Sequence, residues 1–389
     1  MSYKCEIIVD SVSPQGCRLT TFKVTYPRII HAEMLRHRML SRNVASSRAI
    51  PFAKMVKDVE EHPFIPIAWQ KNHPGMQGTE YLSKTDKFNL SQFVSVMIDT
   101  LNNMVDRDSK EFKKFKKEVK EKVDLVTGLL SKYTSFTMTL DEWWLLARDK
   151  TVEAASIVYV FGVTKQLCNR LLEPFVWTTE LITGTEWENF FSLRCPRYNI
   201  NGTEFRSKKD ALYYKDSIDN TGKFTRPNDL EWLQMNKSQA EIHIQKIAEM
   251  MWDVYNESTP KQLQTGEWHI PFGNNIDEHD IFHNLNLGDP KYWGIVNFRN
   301  ILETTKVKIA TARCARLSYT TLGDEPKIDY EADIKLHDRL LAQNHMSPFE
   351  HCARVMTTNE YNSRLHIKRG QHGWCNNFKG FIQYRHLIE

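Results

Sequence analysis

Features that would mark a secreted, zinc-binding or membrane protein are missing from this sequence. The seven cysteines include no CxxC pair and no zinc-like spacing, so we expect a reduced protein without a metal site. No apolar run follows the opening MSYKCEIIVD, and the longest apolar patch, at 156–163, is far too short to span a bilayer. The sequence therefore predicts a cytoplasmic protein that does not bind membranes.

Strong charge of either sign is also missing. The formal net charge is +4 over 389 residues, which is too small to indicate a nucleic-acid scaffold. The lysine-rich run DSKEFKKFKKEVKEKVD carries Phe112, Phe115 and Val119 at spacings of three and four, with glutamates among the lysines. This pattern favours the solvated face of an amphipathic helix over a nucleic-acid site, so we expect no nucleic-acid partner.

Proline and glycine do not cluster into a flexible linker, although the length allows two packed domains. Near the start, 4–10 and 19–25 have the alternation and composition of strands. Pro27 then precedes a short helix that delivers Arg36 at its end. The polar segment 195–229 is expected to be an exposed insertion. Further helices are predicted at 151–172, 186–193, 239–255 and 331–343.

Residues 36–52, RHRMLSRNVASSRAIPF, are unusually rich in groups that bind anions. They hold four arginines and three serines among seventeen residues, and no acid. Guanidinium forks suit phosphate or carboxylate, and serine hydroxyls with turn N–H groups complete a phosphate cradle. A surface basic turn is the ordinary alternative, but the absence of compensating acids favours a nucleotide or pyrophosphate site.

The same segment resembles the signature of the flavin-dependent thymidylate synthases, which is Arg-His-Arg, seven residues, then serine. Arg36, His37, Arg38 and Ser46 match that signature in order and spacing. Further segments resemble other parts of the family: NRLLEP at 169–174, EWENFFSLR at 186–194, CARLSY at 314–319 and HMSPFEH at 345–351.

The resemblance implies an enzyme, a flavoprotein methyltransferase that converts dUMP to dTMP. FAD would be its cofactor, with methylenetetrahydrofolate and NADPH as co-substrates. The implied substrate contacts are Glu33, Arg36, Ser46, Ser47, Arg48, Arg170 and Arg194. The implied cofactor contacts are Arg36, His37, Arg38, Asn189, Ser318, His345, Ser347 and Glu350. Catalytic roles are implied for Arg194 and His345.

The order of the segments differs from the ordinary family, in which the CARLSY-like and HMSPFEH-like segments precede the Arg-His-Arg helix. Here they come last, and the chain continues into NFKGFIQYRHLIE, where Arg385 and His386 look like the start of a second, degenerate motif. We therefore interpret the chain as two incomplete family units, 1–300 and 301–389, resembling the long thymidylate synthase-like proteins of bacteriophages, which act in the host cytoplasm.

The expected fold class is α/β (α+β), with two packed units, each a mixed or antiparallel sheet with flanking helices, plus a large helical region. We expect 36–48 and 318–350 to line a common cleft, and Arg385 and His386 to line no complete site. Because family active sites are built where subunits meet, we expect a homodimer, with a tetramer as the alternative.

Two departures from the family pattern leave the reaction open. Val44 stands where the family has an acid, and Glu33 stands where it has a glutamine. A hydroxymethylase acting on dUMP or dCMP therefore remains an alternative, and so does a non-catalytic nucleotide-binding relic.

Overall fold

The computed structural model describes residues 2–73, 78, 80–133, 136–218, 226–285, 295–317, 329–363 and 372–389. The α-helices in them are α1 (His31–Leu35), α2 (Phe52–Glu61), α3 (Leu90–Asn103), α4 (Lys110–Tyr133), α5 (Leu140–Val160), α6 (Lys165–Leu171), α7 (Trp187–Arg194), α8 (Lys208–Ile218), α9 (Asp229–Met235), α10 (Ile242–Glu257), α11 (Glu278–Leu285), α12 (Ile295–Arg316), α13 (Tyr330–Ala342), α14 (Thr358–Asn362) and α15 (Tyr384–Ile388). The strands are β1 (Lys4–Val12), β2 (Arg18–Pro27), β3 (Ser41–Val44), β4 (Trp69–Gln70), β5 (Tyr81–Leu82), β6 (Phe88–Asn89), β7 (Thr137–Met138), β8 (Trp177–Gly184), β9 (Tyr198–Ile200), β10 (Thr203–Phe205), β11 (Lys261–Gln262), β12 (Trp268–His269), β13 (Ala353–Val355), β14 (Trp374–Cys375), β15 (Phe378–Lys379) and β16 (Phe381–Gln383).

The chain forms two compact units, one of Met1–Phe64 with Ala154–Glu389 and one of Ile65–Glu153. The predicted division at residue 300 is therefore not the division that the structure shows. Helix α12 runs through that position, so the backbone offers no boundary there. Whether the C-terminal part derives from a second family unit stays a prediction.

A five-stranded mixed sheet lies at the centre of the first unit, in the order β11-β1-β2-β8-β3. Strand β11 pairs with β1 in parallel, and the other pairs are antiparallel. β8 is buried along its whole length between β2 and β3. With the helices around this sheet, the fold is mixed α/β. The edge strand β3 lies inside the arginine-rich segment, so the sheet fixes the position of that segment.

One face of the central sheet is apolar. Every second side chain of β2 points to this face, as the period of a strand requires; these are Phe22, Val24 and Tyr26. They form one core with side chains of α7 and α10, and the rings of Phe22 and Trp187 meet edge to face with centroids 4.7 Å apart. Each such buried aromatic side chain stabilises the fold by about 1.5–3 kcal/mol. This core holds α7 against the sheet beside the arginine-rich segment.

The opposite face of the sheet carries a buried polar cluster between apolar side chains such as Leu19 and Leu181. Thr21 Oγ1 lies 2.8 Å from Thr183 Oγ1 and 2.8 Å from His269 Nε2. His269 Nδ1 lies 2.9 Å from Ser11 Oγ, and Thr183 Oγ1 lies 2.8 Å from His351 Nδ1. All five side chains are buried. This polar seam joins the central sheet to the C-terminal sheet, whose order is β12-β13-β16.

The second unit contains α3, α4 and the start of α5, with the short antiparallel pairs β4–β5 and β6–β7. The indole N–H of Trp69 donates to Asp141 over 2.7 Å. Helix α4 contains most of the predicted amphipathic helix, with Val119 buried and most of the lysines exposed. The lysine-rich run is therefore the solvated face of a helix that packs on α3.

Most predicted helices are confirmed, with two corrections. The predictions at 186–193, 239–255 and 331–343 correspond to α7, α10 and α13, within three residues at each end. The prediction of one helix over 151–172 is wrong, because the chain leaves α5 through Gly162 in a left-handed conformation (φ 85°) before α6 begins. The segment 195–229 is not simply an exposed insertion, because Tyr198 and Ala211 are buried against Trp232.

Among the helices of the described residues, none combines the length and the apolar character that a bilayer crossing would need.

Candidate functional site

The first part of the candidate site is the arginine loop, residues 36–40, between α1 and β3. Arg36 and Arg38 are exposed, whereas His37 is buried with its ring edge to face with Phe190 at 4.9 Å between centroids. Within the part of the chain that the structure describes, neither guanidinium forms a hydrogen bond or an ion pair. The loop therefore presents two cations whose partners are not supplied by the described protein.

Arg194 at the end of α7 is bound to the arginine loop. Its Nε donates to His37 Nε2 over 2.9 Å. Burial, with the charges of Arg194 and Arg42, lowers the pKa of His37 to about 4, so the imidazole is neutral and can accept this bond. Arg194 is half-buried and stays charged. The structure thus brings together Arg36, His37 and Arg194, three residues selected from the sequence.

Glu33 on α1 adds an acceptor to this group. Its Oε2 atom is buried and has no hydrogen-bond partner among the described residues. Burial and the charge of Arg36 lower the pKa of Arg194, and the charge of Glu33 acts in the opposite direction. A buried acceptor without a donor costs about 1–3 kcal/mol, so a ligand that donates a hydrogen bond to Glu33 would recover that energy.

A cavity of about 330 Å³ opens beside the arginine loop. Asn189 of α7, which the resemblance assigns to the cofactor, shares it with the loop. Its lining residues are Arg36, His37, Arg38, Met39, Leu40, Glu186, Asn189 and Trp374. The cavity thus combines cations, an amide, one carboxylate and an aromatic ring.

The second part of the site is the serine turn, residues 46–50, which follows β3. Helix α6 fixes this turn, because Asn169 Nδ2 donates to the carbonyl oxygens of Ser47 (2.7 Å) and Ile50 (3.0 Å). Lys165 Nζ also donates to the Ala49 carbonyl over 3.1 Å. Glu173, just after α6, accepts a hydrogen bond from Ser47 Oγ at 2.8 Å. The turn is therefore held mainly through its backbone.

Arg48 and Arg170 lie at this turn and on the adjacent helix. Both are exposed, and neither side chain has a hydrogen bond or ion pair with a described residue. The apolar residues around Arg170 in the sequence predict a buried arginine, and that prediction is wrong. Its neighbour Asn169 takes the buried position on α6 and binds the turn. An exposed arginine beside the serine turn is still available to an anion.

Strand β3 sets the spacing of these two parts. It has four residues and rises by about 3.3 Å per residue, so the Cα atoms of its first and last residues lie about 10 Å apart. The arginine loop stands at one end and the serine turn at the other. The many anion-binding groups of residues 36–52 therefore form two separate cationic sites rather than one.

The third part is the segment that contains His345 and Ser347. Ser347 Oγ donates to Asn43 Oδ1 over 2.7 Å, and Asn43 Nδ2 donates to the Cys314 carbonyl over 3.1 Å. His345 and Ser347 line a cavity of about 180 Å³ with residues 42–44. The structure thus brings the C-terminal segment to β3 within one chain. Ser318 lies outside the described residues.

Glu350 is occupied by a protein partner. Its Oε1 accepts from Arg385 Nη1 over 2.7 Å, and Arg385 Nε donates to Glu389 over 2.8 Å. Two carboxylates thus compensate the charge of Arg385. Its hydrogen bonds to Glu350 and Glu389 raise its pKa. His386 is exposed. Arg385 therefore offers no uncompensated cation to a nucleotide phosphate, and the expectation that it lines no complete site stays a prediction.

A buried ion cluster supports the arginine loop, and its role was not predicted. Arg42 Nη2 donates to the His37 carbonyl over 3.0 Å, and Arg42 Nε lies 3.9 Å from Glu180 Oε1. The Arg42 side chain is 10% exposed and that of Glu180 is fully buried. Burial raises the pKa of Glu180, and the charge of Arg42 opposes that rise. The Tyr26 hydroxyl also donates to Glu180.

One signal in the sequence could have revealed this cluster. Glu180 is the single charged residue in the strand WTTELITG, where the neighbours are apolar, small or hydroxylic. A lone acid in a buried strand needs a cation or a donor. In the sequence, Arg42 stands out only as one of the four arginines of residues 36–52. No sequence signal paired these two residues.

The sequence matches no family model and no curated protein. Among solved structures, the chain is similar to a UMP/dUMP methylase, PolB from Streptomyces cacaoi, bound with 5-Br UMP. The two chains share 13% sequence identity, and the match covers 66% of this chain and 89% of that chain with a TM-score of 0.33. A likeness this weak establishes neither a common fold nor a common site.

Proposed function

We propose that the protein is a flavin-dependent enzyme that transfers a one-carbon unit to carbon 5 of a pyrimidine deoxynucleotide, in the manner of dUMP to dTMP. The observation that carries this proposal is the pair of cationic sites at the ends of β3. Arg36 and Arg38 at one end, and Arg48 at the other, have no protein partner among the described residues. One ligand phosphate at each end would satisfy them.

The serine turn would hold the 5′-phosphate of the nucleotide. Ser46, Arg48 and Arg170 supply a hydroxyl and two permanent charges there, and charge-assisted bonds of this kind are the strong ones. The hydrogen bonds from the Asn169 side chain to backbone carbonyls of the turn keep it in one conformation before the ligand arrives. Less ordering entropy is then lost on binding.

Arg194 would act on the pyrimidine ring. Its Nε is used by His37, and no described residue accepts from its two terminal nitrogens. Those nitrogens can donate to a ring carbonyl and stabilise the negative charge on its oxygen in the electron-rich form of the ring, in which carbon 5 is nucleophilic. His37, neutral at physiological pH, serves as a positioning residue that orients the guanidinium.

FAD is the cofactor that this proposal implies, and the arginine loop fits it. Arg36 and Arg38 offer permanent charges for the pyrophosphate, and Asn189 offers an amide for a ring edge. The cavity of about 330 Å³ would hold only part of the cofactor. When bound, the flavin supplies the redox chemistry of the transfer, with methylenetetrahydrofolate and NADPH as co-substrates. His345 and Ser347 are proposed to contact the cofactor or the folate from the outer edge of β3.

The test is ligand binding by wild-type protein and matched arginine variants. Calorimetry with dUMP and flavin fluorescence with FAD should each show saturable binding. Arg48→Ala and Arg170→Ala should each lose a charge-assisted bond of about 1.5–3 kcal/mol, which is about ten- to a hundredfold in dUMP affinity. Arg107→Ala, an exposed arginine of the second unit, is the control and should bind normally.

Activity is then measured as release of the hydrogen on carbon 5 of dUMP in the presence of methylenetetrahydrofolate, NADPH and FAD. Unchanged dUMP affinity in both arginine variants would contradict the phosphate assignment. Absence of saturable FAD binding would contradict the flavoenzyme. Binding of both ligands without turnover would identify a non-catalytic nucleotide-binding relic.

A second candidate function is modification of dCMP on the same scaffold, for which Glu33 would be the acceptor that recognises the base. Its buried Oε2 has no donor among the described residues. The exocyclic amine of cytosine is a donor that a carboxylate accepts well, whereas uracil has a carbonyl oxygen at that position. A sugar hydroxyl would satisfy Glu33 equally in both nucleotides.

A further inference from the structure

We infer that Trp374 forms an aromatic wall that stacks on the planar heteroaromatic ring of the phosphate-bearing ligand held by the arginine loop. The inference rests on the proposed function, because it assumes a ring ligand in that cavity. Trp374 lies in a part of the chain for which the resemblance assigns no ligand contact. The geometry that supports it comes from the C-terminal hairpin, residues 374–379.

The hairpin is built to present Trp374 outward. β14 pairs with β15 around a turn in which Asn376 adopts a left-handed conformation (φ 53°). Cys375 and Phe378 are fully buried and anchor the hairpin. Since successive side chains of a strand point to opposite faces, the residue before Cys375 points away from that anchor. Trp374 is accordingly only half-buried and lines the cavity.

The hairpin is also fastened to the arginine loop. Asn377 Nδ2 donates to the Met39 carbonyl over 3.2 Å and to Ser41 Oγ over 3.0 Å. On the other side, the Lys379 N–H donates to Thr185 Oγ1 over 3.1 Å, two residues before α7. These bonds reach both elements that line the cavity. They hold Trp374 in place before a ligand arrives, which reduces the ordering cost of stacking.

The composition of the cavity points to one class of ligand. Arg36 and Arg38 suit a phosphate, Asn189 can pair with ring heteroatoms, and Trp374 adds a flat apolar face. Glu186 repels a phosphate but can accept from a ring N–H or a hydroxyl. At about 330 Å³, the cavity is near the lower end of the range of about 300–1,000 Å³ for ligand pockets. That size suits one ring system with its phosphate.

The proposed function puts a flavin nucleotide in this cavity, and a pyrimidine nucleotide is the other ligand with the same chemistry. Titrations with dUMP, FMN and FAD separate them, and inorganic pyrophosphate probes the arginines without a ring. Trp374→Ala should weaken the ring ligand of this cavity by about ten- to a hundredfold, as loss of base stacking does. Trp374→Phe keeps a ring and should stay within a few-fold of wild type. Pyrophosphate affinity should not change in either variant.

Tryptophan fluorescence provides a second readout that does not depend on Trp374→Ala folding. The ring ligand should quench part of the wild-type emission, and Trp374→Phe should lose that part. Trp69→Phe, which removes a half-buried tryptophan of the second unit, should retain it. Equal affinity and equal quenching in wild type and both Trp374 variants would overturn the inference and leave the proposed function standing. If wild-type protein binds none of the three ring ligands, the inference and the proposed function both fail.

Discussion

Acidification is expected to destabilise the protein through the two histidines of the polar seam. Burial lowers the pKa of His269 and of His351 to about 3, whereas an unfolded histidine titrates near about 6.5. Between these values the unfolded chain binds more protons than the folded chain. The free energy of unfolding therefore falls as the pH falls through this window. Above the window, the stability that comes from keeping the two histidines neutral is fully present.

The width of the window sets the size of the effect. Each pKa unit is worth about 1.4 kcal/mol, so moving from about pH 7.5 to about pH 5 costs about 2 kcal/mol per histidine. The two histidines together should lower the free energy of unfolding by about 4 kcal/mol. Burial raises the pKa of some carboxylates, such as Asp58, and these groups make the folded state more stable as the pH falls. A comparison of variants is needed to cancel them.

His351→Asn isolates one of the two contributions. The amide can still bond Thr183 in place of Nδ1, and His351 Nε2 has no partner to lose among the described residues. Urea unfolding at both pH values should show a loss on acidification that is about 2 kcal/mol smaller in the variant than in wild type. His62→Asn, at an exposed position after α2, should keep the wild-type loss.

Two results would refute this reasoning. One is an identical loss on acidification in wild type and His351→Asn. The other is a His351 resonance that titrates above about pH 5 in the NMR spectrum of the folded protein. Either result would show that the ring of His351 reaches solvent or gains an acid partner.

Two further predictions concern groups beside the arginine loop. If Glu33 accepts from an exocyclic amine, Glu33→Gln should weaken dCMP binding by about tenfold or more and leave dUMP binding nearly unchanged in calorimetry; equal losses for both nucleotides would instead assign Glu33 to the sugar. Arg42→Met should lower the free energy of unfolding by about 3–5 kcal/mol, because it leaves a buried carboxylate uncompensated. Adding Glu180→Gln should recover part of that loss in urea unfolding, and no recovery would argue against the ion pair.

Local patterns predicted the parts of the fold that depend on neighbours in sequence. The alternation near the start of the sequence predicted β1 and β2, and the spacing of apolar residues predicted α7, α10 and α13. The arginine loop and the serine turn follow from one contiguous segment around β3. In each case the residues that decide the structure lie within one or two turns of each other, where periodicity is informative.

Long-range pairing could not be predicted in the same way. Nothing near Arg42 in the sequence indicates that its partner is Glu180, and nothing near Asn377 indicates that it bonds the Met39 carbonyl. These contacts depend on which strands lie side by side, and the order β11-β1-β2-β8-β3 was not deducible from local spacing. Arg170 shows the same limit, since a helix of mixed character leaves open which residue faces inward. Asn169 took that position because it satisfies two backbone carbonyls.

The position of β3 explains how the parts of the candidate site converge from distant segments. In the described structure β3 pairs with β8 on one side only, so its outer edge is open to the C-terminal segment. Asn43 projects toward Ser347 and is bonded to it, while the two ends of the strand carry the arginine loop and the serine turn. This one edge therefore brings all three parts of the candidate site together, although they come from distant segments of the chain. That contact forms within one chain and requires no second subunit.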